Sequence, residues 1–283
     1  MHFNLPDSIK TGLAGAGAMS IQVSSLMWMR TAVNYQYRTG VGMKTAFSTL
    51  YREGGIARFY KGIGPALIQA PLSRFGDTAT NAAVLEIMEP YDVPIWIKTS
   101  LASTAAATWR LNLMPIDTLK TTMQVEGKQG IQILRNKLHH NGPRVLYNGA
   151  GATFAATWVG HYPWFVTYNT LDAYLPKYCN DEHPFVYSLL RSALMGFGAS
   201  LVSDTSSNAI RVCKTYKQTY ANQISYPDVV RKIIAEDSIQ GLLFRGLGTK
   251  IISNGIQGMM FSIIWKQLQE QMKAEPSVYP SGK

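Results

Sequence analysis

A chain of 283 residues with a formal net charge of +10 has the length of one or two soluble domains, and its mean hydropathy of −0.04 also looks soluble. The excess of base is not arranged for nucleic acid, because no basic cluster with interleaved aromatics occurs and Lys and Arg gather near predicted helix ends. Cys179 and Cys213 lie far apart and form no zinc spacing or disulfide framework. No phosphate loop, nucleophile triad or metal-ligand cluster appears, so the sequence reads as neither an enzyme nor a cofactor protein.

The distribution of charge corrects the average. Residues 11–29, 145–171 (with His161 neutral) and 251–265 are uncharged, and the first two runs reach the roughly 20 residues a membrane helix requires. In chain order, Asp7 and Ser8 cap a first helix at 8–38, which carries the small residues Gly12, Gly15 and Gly17. A second long helix follows at 63–88, interrupted by Arg74 and Asp77. The next falls at 93–124, with Ala102, Ala105, Ala106 and Ala107, and is interrupted by Arg110. Helices at 149–175, 185–217 (interrupted by Asp204) and 246–272 complete the set. Charges inside such helices are costly and face an aqueous cavity or a partner. Between the pairs, residues 45–52, 131–139 and 227–236 show apolar spacing of three and four, as short amphipathic surface helices do. The tail from Glu275 contains Pro, Ser and Gly and reads as loose.

One pattern recurs along this frame. Pro115-Ile116-Asp117-Thr118-Leu119-Lys120 has counterparts in Ser25 to Arg30 and Ser206 to Arg211, about 90 residues away on either side. Each is followed by a closing signature: Tyr60-Lys61-Gly62, Tyr147-Asn148-Gly149 and Phe244-Arg245-Gly246. In these residues, over essentially the whole chain, the protein resembles the mitochondrial carrier family, as a divergent member. The second repeat matches the first half of the family pattern fully; the first and third keep the base but neither proline nor acid. The resemblance implies an all-α membrane protein with six transmembrane helices in three pseudo-threefold repeats and short matrix-side surface helices. The repeats, 1–92, 93–182 and 183–283, form one integral domain. It also implies a multi-pass location in the mitochondrial inner membrane, although MHFNLPDSIK is not an Arg-rich presequence. The odd helices are expected to break at Ser25, Pro115 and Ser206, where serine bends a helix less strongly than proline.

In the family a stripe of the odd helices faces the cavity, and the acid of one pairs with the base of the next to close the matrix side. The gate implied here is Arg30, Asp117, Lys120, Asn208 and Arg211. Asp117 would pair with Arg211; Asn208 would offer Arg30 a neutral oxygen; Met27 would offer Lys120 nothing. Asp204 reads first as a counter-ion for Arg30 or Arg110 and second as a coupling site. On the even helices the family's aromatic-acid motif keeps its aromatic at Tyr168 and Trp265, and an Asp172–Lys266 contact is the pair that can be written there.

Counting from the closing glycines, the family's solute contacts fall on Gln69, Thr157, Ser253 and Asn254, with Arg110 opposite. This set is uncharged apart from one arginine. It points to a small carboxylate or amino-acid-like metabolite moved by alternating access, and away from a nucleotide. Arg74 and His161 are secondary anion candidates, each read first as an interhelical or headgroup contact. The partners implied are a small-molecule solute and inner-membrane lipids, with cardiolipin at the matrix side. The rival reading is a carrier-fold protein whose gates have decayed, serving as a structural subunit of a respiratory or ATP synthase assembly. His139 and His140 read as a solvated pair near a turn.

Overall fold

The computed structural model describes residues 7–176, 184–257 and 260. Among them every regular element is helical: α1 (Asp7–Thr39), α2 (Met43–Phe59), α3 (Ile63–Ile87), α4 (Ile95–Asn112), α5 (Met114–Glu126), α6 (Gly130–Asn141), α7 (Ala150–Tyr174), α8 (Pro184–Thr219) and α9 (Tyr226–Phe244), then α10 over residues 247–257. The all-helical class and the order long, surface, long follow the sequence expectation. Cys179, Trp265, Lys266 and the tail from Glu275 lie outside the described residues.

Among the described residues, no helix is long and apolar enough to cross a membrane. Length is not the obstacle, because α1, α3, α7 and α8 run to 33, 25, 25 and 36 residues and a bilayer core needs about 20. Polarity is. Arg74 and Asp77 interrupt α3, and Arg191, Asp204, Arg211 and Lys214 interrupt α8. Polar side chains of the helices are also buried, among them Gln22, Thr121, Gln124 and Ser207.

Two of the three expected breaks occur. Backbone angles leave the helical region at Leu26 (φ −113°, ψ 15°), beside Ser25. α4 and α5 are separated at Leu113 (φ −88°, ψ 0°), where Pro115 can return no N–H to the carbonyl four residues back and its ring crowds that carbonyl. The third is a correction: α8 continues without interruption through Ser206. Serine keeps its backbone N–H, and its Oγ merely adds a bond to the Val202 carbonyl at 2.8 Å.

The helices close into a ring through three glycines with left-handed backbones. Gly62, Gly149 and Gly246 have φ of 87°, 93° and 65°. A Cβ at Gly62 would lie 3.0 Å from the Lys120 carbonyl of α5; one at Gly149 would lie 3.2 Å from Gln218 of α8; one at Gly246 would lie 3.0 Å from the Tyr37 ring of α1. Each lets the start of one helix press on the next long helix, and the third contact returns the chain to α1. The seam between α1, α8 and α9 is sealed by buried Val33, Tyr37, Val212, Tyr216, Val229 and Ile233, each aliphatic contributing about 1.5–3 kcal/mol by burial.

The surface helices α2 and α9 are kinked, and the segment after α6 turns in the same way. Gly55 (φ 60°, ψ −149°), Gly142 (φ 70°, ψ −176°) and Ser238 (φ 62°, ψ −174°) share one conformation, a region almost confined to glycine, where other residues cost on the order of 1–3 kcal/mol. Ser238 is the one non-glycine with positive φ among the described residues. Its Oγ accepts from the Gln240 N–H at 3.3 Å, a weak local return. Ser238→Gly is therefore expected to stabilise the protein by about 1 kcal/mol, raising the melting temperature by about 2–4 °C. An unchanged or lowered melting temperature would show that the strain is relieved by contacts of the serine side chain.

Buried bases lie at the ends of α5, α8 and α1. Arg58 donates to the Gln124 and Val125 carbonyls of α5 at 2.8 and 2.6 Å and pairs with Glu53 at 2.7 Å. Lys137 donates to the Gln218 carbonyl near the end of α8 at 3.2 Å. Arg245, paired with Glu236 and Asp237, lies against Gly40 at the end of α1. A base at a helix C-terminus meets unpaired carbonyls and the negative end of the dipole. Burial pushes the Lys137 ammonium down to about 8. Burial alone would raise Glu236, but hydrogen bonds from Tyr216 and Arg245 outweigh it and hold the carboxyl below its usual range.

Candidate functional site

Inside the ring lies a cavity of about 910 Å³. Its wall takes side chains from α1, α3, α4, α5, α7, α8 and α10. It brings together Gln69, Arg110, Thr157, Ser253 and Asn254, and with them Arg30, Asp117, Lys120 and Arg211. Asn208 and Asp204 sit behind this wall, 0% and 5% exposed.

Asp117 is the centre of a charged network in this wall. It is 4% exposed and pairs with Lys214 at 2.6 Å and with Lys120, one turn along its own helix, at 2.9 Å. Gln69 and Gln218 donate to its two oxygens at 3.2 and 3.1 Å, and Lys120 also donates to the Gln69 side-chain oxygen at 2.6 Å. The acid is thus surrounded by two ammonium groups and two amides from α3, α5 and α8. The sequence expectation of an Asp117–Arg211 pair is corrected: Lys214, one turn further along α8, takes that place. Arg211 bonds Ser207 Oγ at 3.0 Å and stands 4.0 Å from Asp204. A lysine's compact charge on a flexible stem can reach back to an acid that the Arg211 fork, held by Ser207, does not meet.

Three further pairings also differ. Asn208 does not serve Arg30: its oxygen accepts from the Tyr37 hydroxyl at 3.0 Å, and its amide donates to the Leu243 and Arg245 carbonyls at 2.8 and 3.1 Å. Backbone carbonyls before the left-handed Gly246 need donors, and the asparagine is used for them. Arg30 instead donates to the Gln257 oxygen at 2.6 Å, and Gln257 in turn donates to Ser253 at 2.6 Å. Asp204 neutralises neither Arg30 nor Arg110; the Asn254 amide donates to it closely and Arg211 is its cation. Arg110 is held by Asp77 through both oxygens, at 2.5 and 3.1 Å. Thr157 returns its hydroxyl to the Thr153 carbonyl at 2.8 Å. Asp172 meets Arg191 at 2.7 Å; its expected partner Lys266 lies outside the described residues.

The largest departure is in charge. Among the described residues, the wall includes Arg30, Arg74, Arg110, Lys120, Arg211, Lys214 and Lys250, against Asp77 and Asp117. Counting one turn and two turns past each closing glycine gives a nearly neutral site. Lys214 lies three residues beyond Arg211, on the same helical face, and Lys250 lies four residues past Gly246. Both offsets are legible in the sequence; neither belongs to the stripe that the family pattern singles out.

A family model described as mitochondrial carrier protein matches residues 91–178. A mitochondrial carrier-like protein of Acanthamoeba polyphaga mimivirus is 26% identical over 57% of the chain. The mitochondrial carrier protein CoAc1 of Zea mays is 30% identical over 33%, and the thylakoid ADP,ATP carrier protein of Arabidopsis thaliana is 31% identical over 49%. Over residues 91–178, then, the chain is similar to the mitochondrial carrier family. The matched segments span 62%, 28% and 35% of those three relatives' lengths. The matched region 91–178 contains the one complete signature, Pro115 to Lys120, together with the closing glycine Gly149.

Proposed function

We propose that this chain is a carrier-family, multi-pass protein of the mitochondrial inner membrane, built as three repeats, that moves an anion bearing more than one negative charge by alternating access. The observation that carries this reading is the cavity's balance of seven bases against two acids among the described residues. Fixed positive charge in a partly desolvated cavity concentrates anions and rewards those with the most charge to share. It argues against a neutral amino acid and moves the solute class from a lone carboxylate toward polycarboxylates and phosphate-bearing metabolites. The thylakoid relative is named as an ADP,ATP carrier, and such nucleotides have the charge this wall would accept. In the proposed cycle, Asp117 with Lys120 and Lys214 closes one end, while Arg30, Arg211 and Lys250 meet the solute alongside Gln69, Thr157, Ser253 and Asn254. A solute shifts such a gate only by binding one state better than the other.

Reconstituted liposomes loaded in turn with labelled ADP, citrate, phosphate and glutamine test this. ADP or citrate is expected to exchange, glutamine is not, and Arg211→Gln with Lys250→Gln is expected to lower uptake by about 10–100-fold, the loss of two charge-assisted contacts. Exchange of glutamine in preference to every anion would overturn the solute class. One observation favours the structural-subunit reading: Met27 and Asn208 stand at acid positions, and Asn208 is committed to Tyr37 and backbone carbonyls. No exchange of any solute, with fixed-stoichiometry copurification in a respiratory or ATP synthase complex, would decide for it.

A further inference from the structure

Arg110 and Asp77 face one another across the boundary between α4 and α3, inside the cavity wall. The carboxylate takes the guanidinium fork through both oxygens. Their side chains remain 27% and 18% exposed, in contrast to Asp117, whose side chain is 6% exposed and enclosed by two lysines. The two helices are pinned at the same level. A Cβ at Gly76 would overlap the Trp109 indole, and the Trp109 N–H donates to the Leu72 carbonyl at 3.0 Å. The contact between α3 and α4 therefore does not depend on the ion pair. The packing of Gly76 on Trp109 and the Trp109 bond already hold the two helices together, so joining them does not account for an acid placed in a cavity with so few.

We infer that Asp77 is an internal counter-anion that occupies Arg110 when the cavity is empty and yields it to the anionic solute, setting a threshold on which anions bind. The inference rests on the anion-carrier reading. Its physical basis is that a carboxylate bonded through both oxygens presents the same face to arginine that a solute carboxylate or phosphate would. A solute must displace or share that face. An apparent affinity falls by the fraction of time the competent state is populated, so a pair closed about nine-tenths of the time weakens binding about tenfold. Weakly charged anions would not repay the displacement, and multiply charged ones would. Asp77 is thus a specificity-determining residue acting through Arg110.

The test is a binding titration of the purified, detergent-solubilised full chain with inorganic pyrophosphate and, separately, acetate. Asp77→Asn is expected to tighten pyrophosphate binding by about tenfold and to narrow the preference for pyrophosphate over acetate. Arg110→Gln should weaken pyrophosphate, and the Asp77→Asn/Arg110→Gln double variant should bind like Arg110→Gln alone, which a general change in cavity charge would not produce. Asp77→Ser serves if the asparagine variant does not fold. If the wild type binds pyrophosphate and neither Asp77 variant tightens it, the inference is overturned while the carrier reading stands. If pyrophosphate binds neither the wild type nor the Asp77 variants, both fall. If only the Asp77 variants bind it, the inference is supported in its strongest form.

Discussion

Asp117→Ala is expected to destabilise the protein by about 3–5 kcal/mol, the range for removing one partner from a buried charge cluster. Asp117 is the acid common to Lys120 and Lys214, and it accepts from Gln69 and Gln218 as well. Without it two ammonium groups face each other in a partly desolvated space, which is costly in itself. Lys214→Met should cost less, since Asp117 keeps Lys120. The Asp117→Ala/Lys214→Met pair should cost clearly less than the two single changes together, because the second substitution removes one of the stranded charges. Thermal unfolding in detergent measures this, with a fall of about 10 °C expected for Asp117→Ala. A fall below about 2 °C, or strict additivity of the pair, would show that the lysines find other counter-charges.

Arg58→Ala is expected to be the next largest loss, about 3 kcal/mol. The arginine side chain is 5% exposed and satisfies two carbonyls at the end of α5 that the helix itself leaves unpaired. A Cβ at Gly127 would lie 2.9 Å from the Arg58 side chain, so the surroundings are shaped to the guanidinium and leave a void when it is removed. Glu53 is 42% exposed and rehydrates once its partner is lost, which keeps the cost below that of Asp117→Ala. Arg58→Lys should recover part of the loss, since one ammonium can serve a carbonyl but cannot fork across two. The expected fall for Arg58→Ala is about 6–10 °C. Full recovery by lysine would mean that charge alone, rather than the two-carbonyl bond, holds the helix end.

The order of the helices was legible in the sequence because local chemistry dictates it. Uncharged or small-residue runs bounded by caps, the turn at each closing glycine, and the hinge at Pro115 all act within a few residues of themselves. The bounds of α1, α3, α7 and α8 fall within a few residues of those expected. The unbroken passage of α8 through Ser206 was not legible, since a serine bends a helix only when its surroundings use its hydroxyl or admit water. The candidate site divides in the same way. Gln69, Arg110, Thr157, Ser253 and Asn254 were placed on the cavity by counting, because position along one helix sets which face a residue takes. Which charge meets which was decided by helices far apart in the chain. Lys214 displaced Arg211 as the partner of Asp117, Tyr37 and two carbonyls engaged Asn208, and Asp77 engaged Arg110. Pairs within one helix, such as Asp117 with Lys120, follow from spacing, but pairs between helices depend on ångström-scale distances that no pattern within a single helix contains.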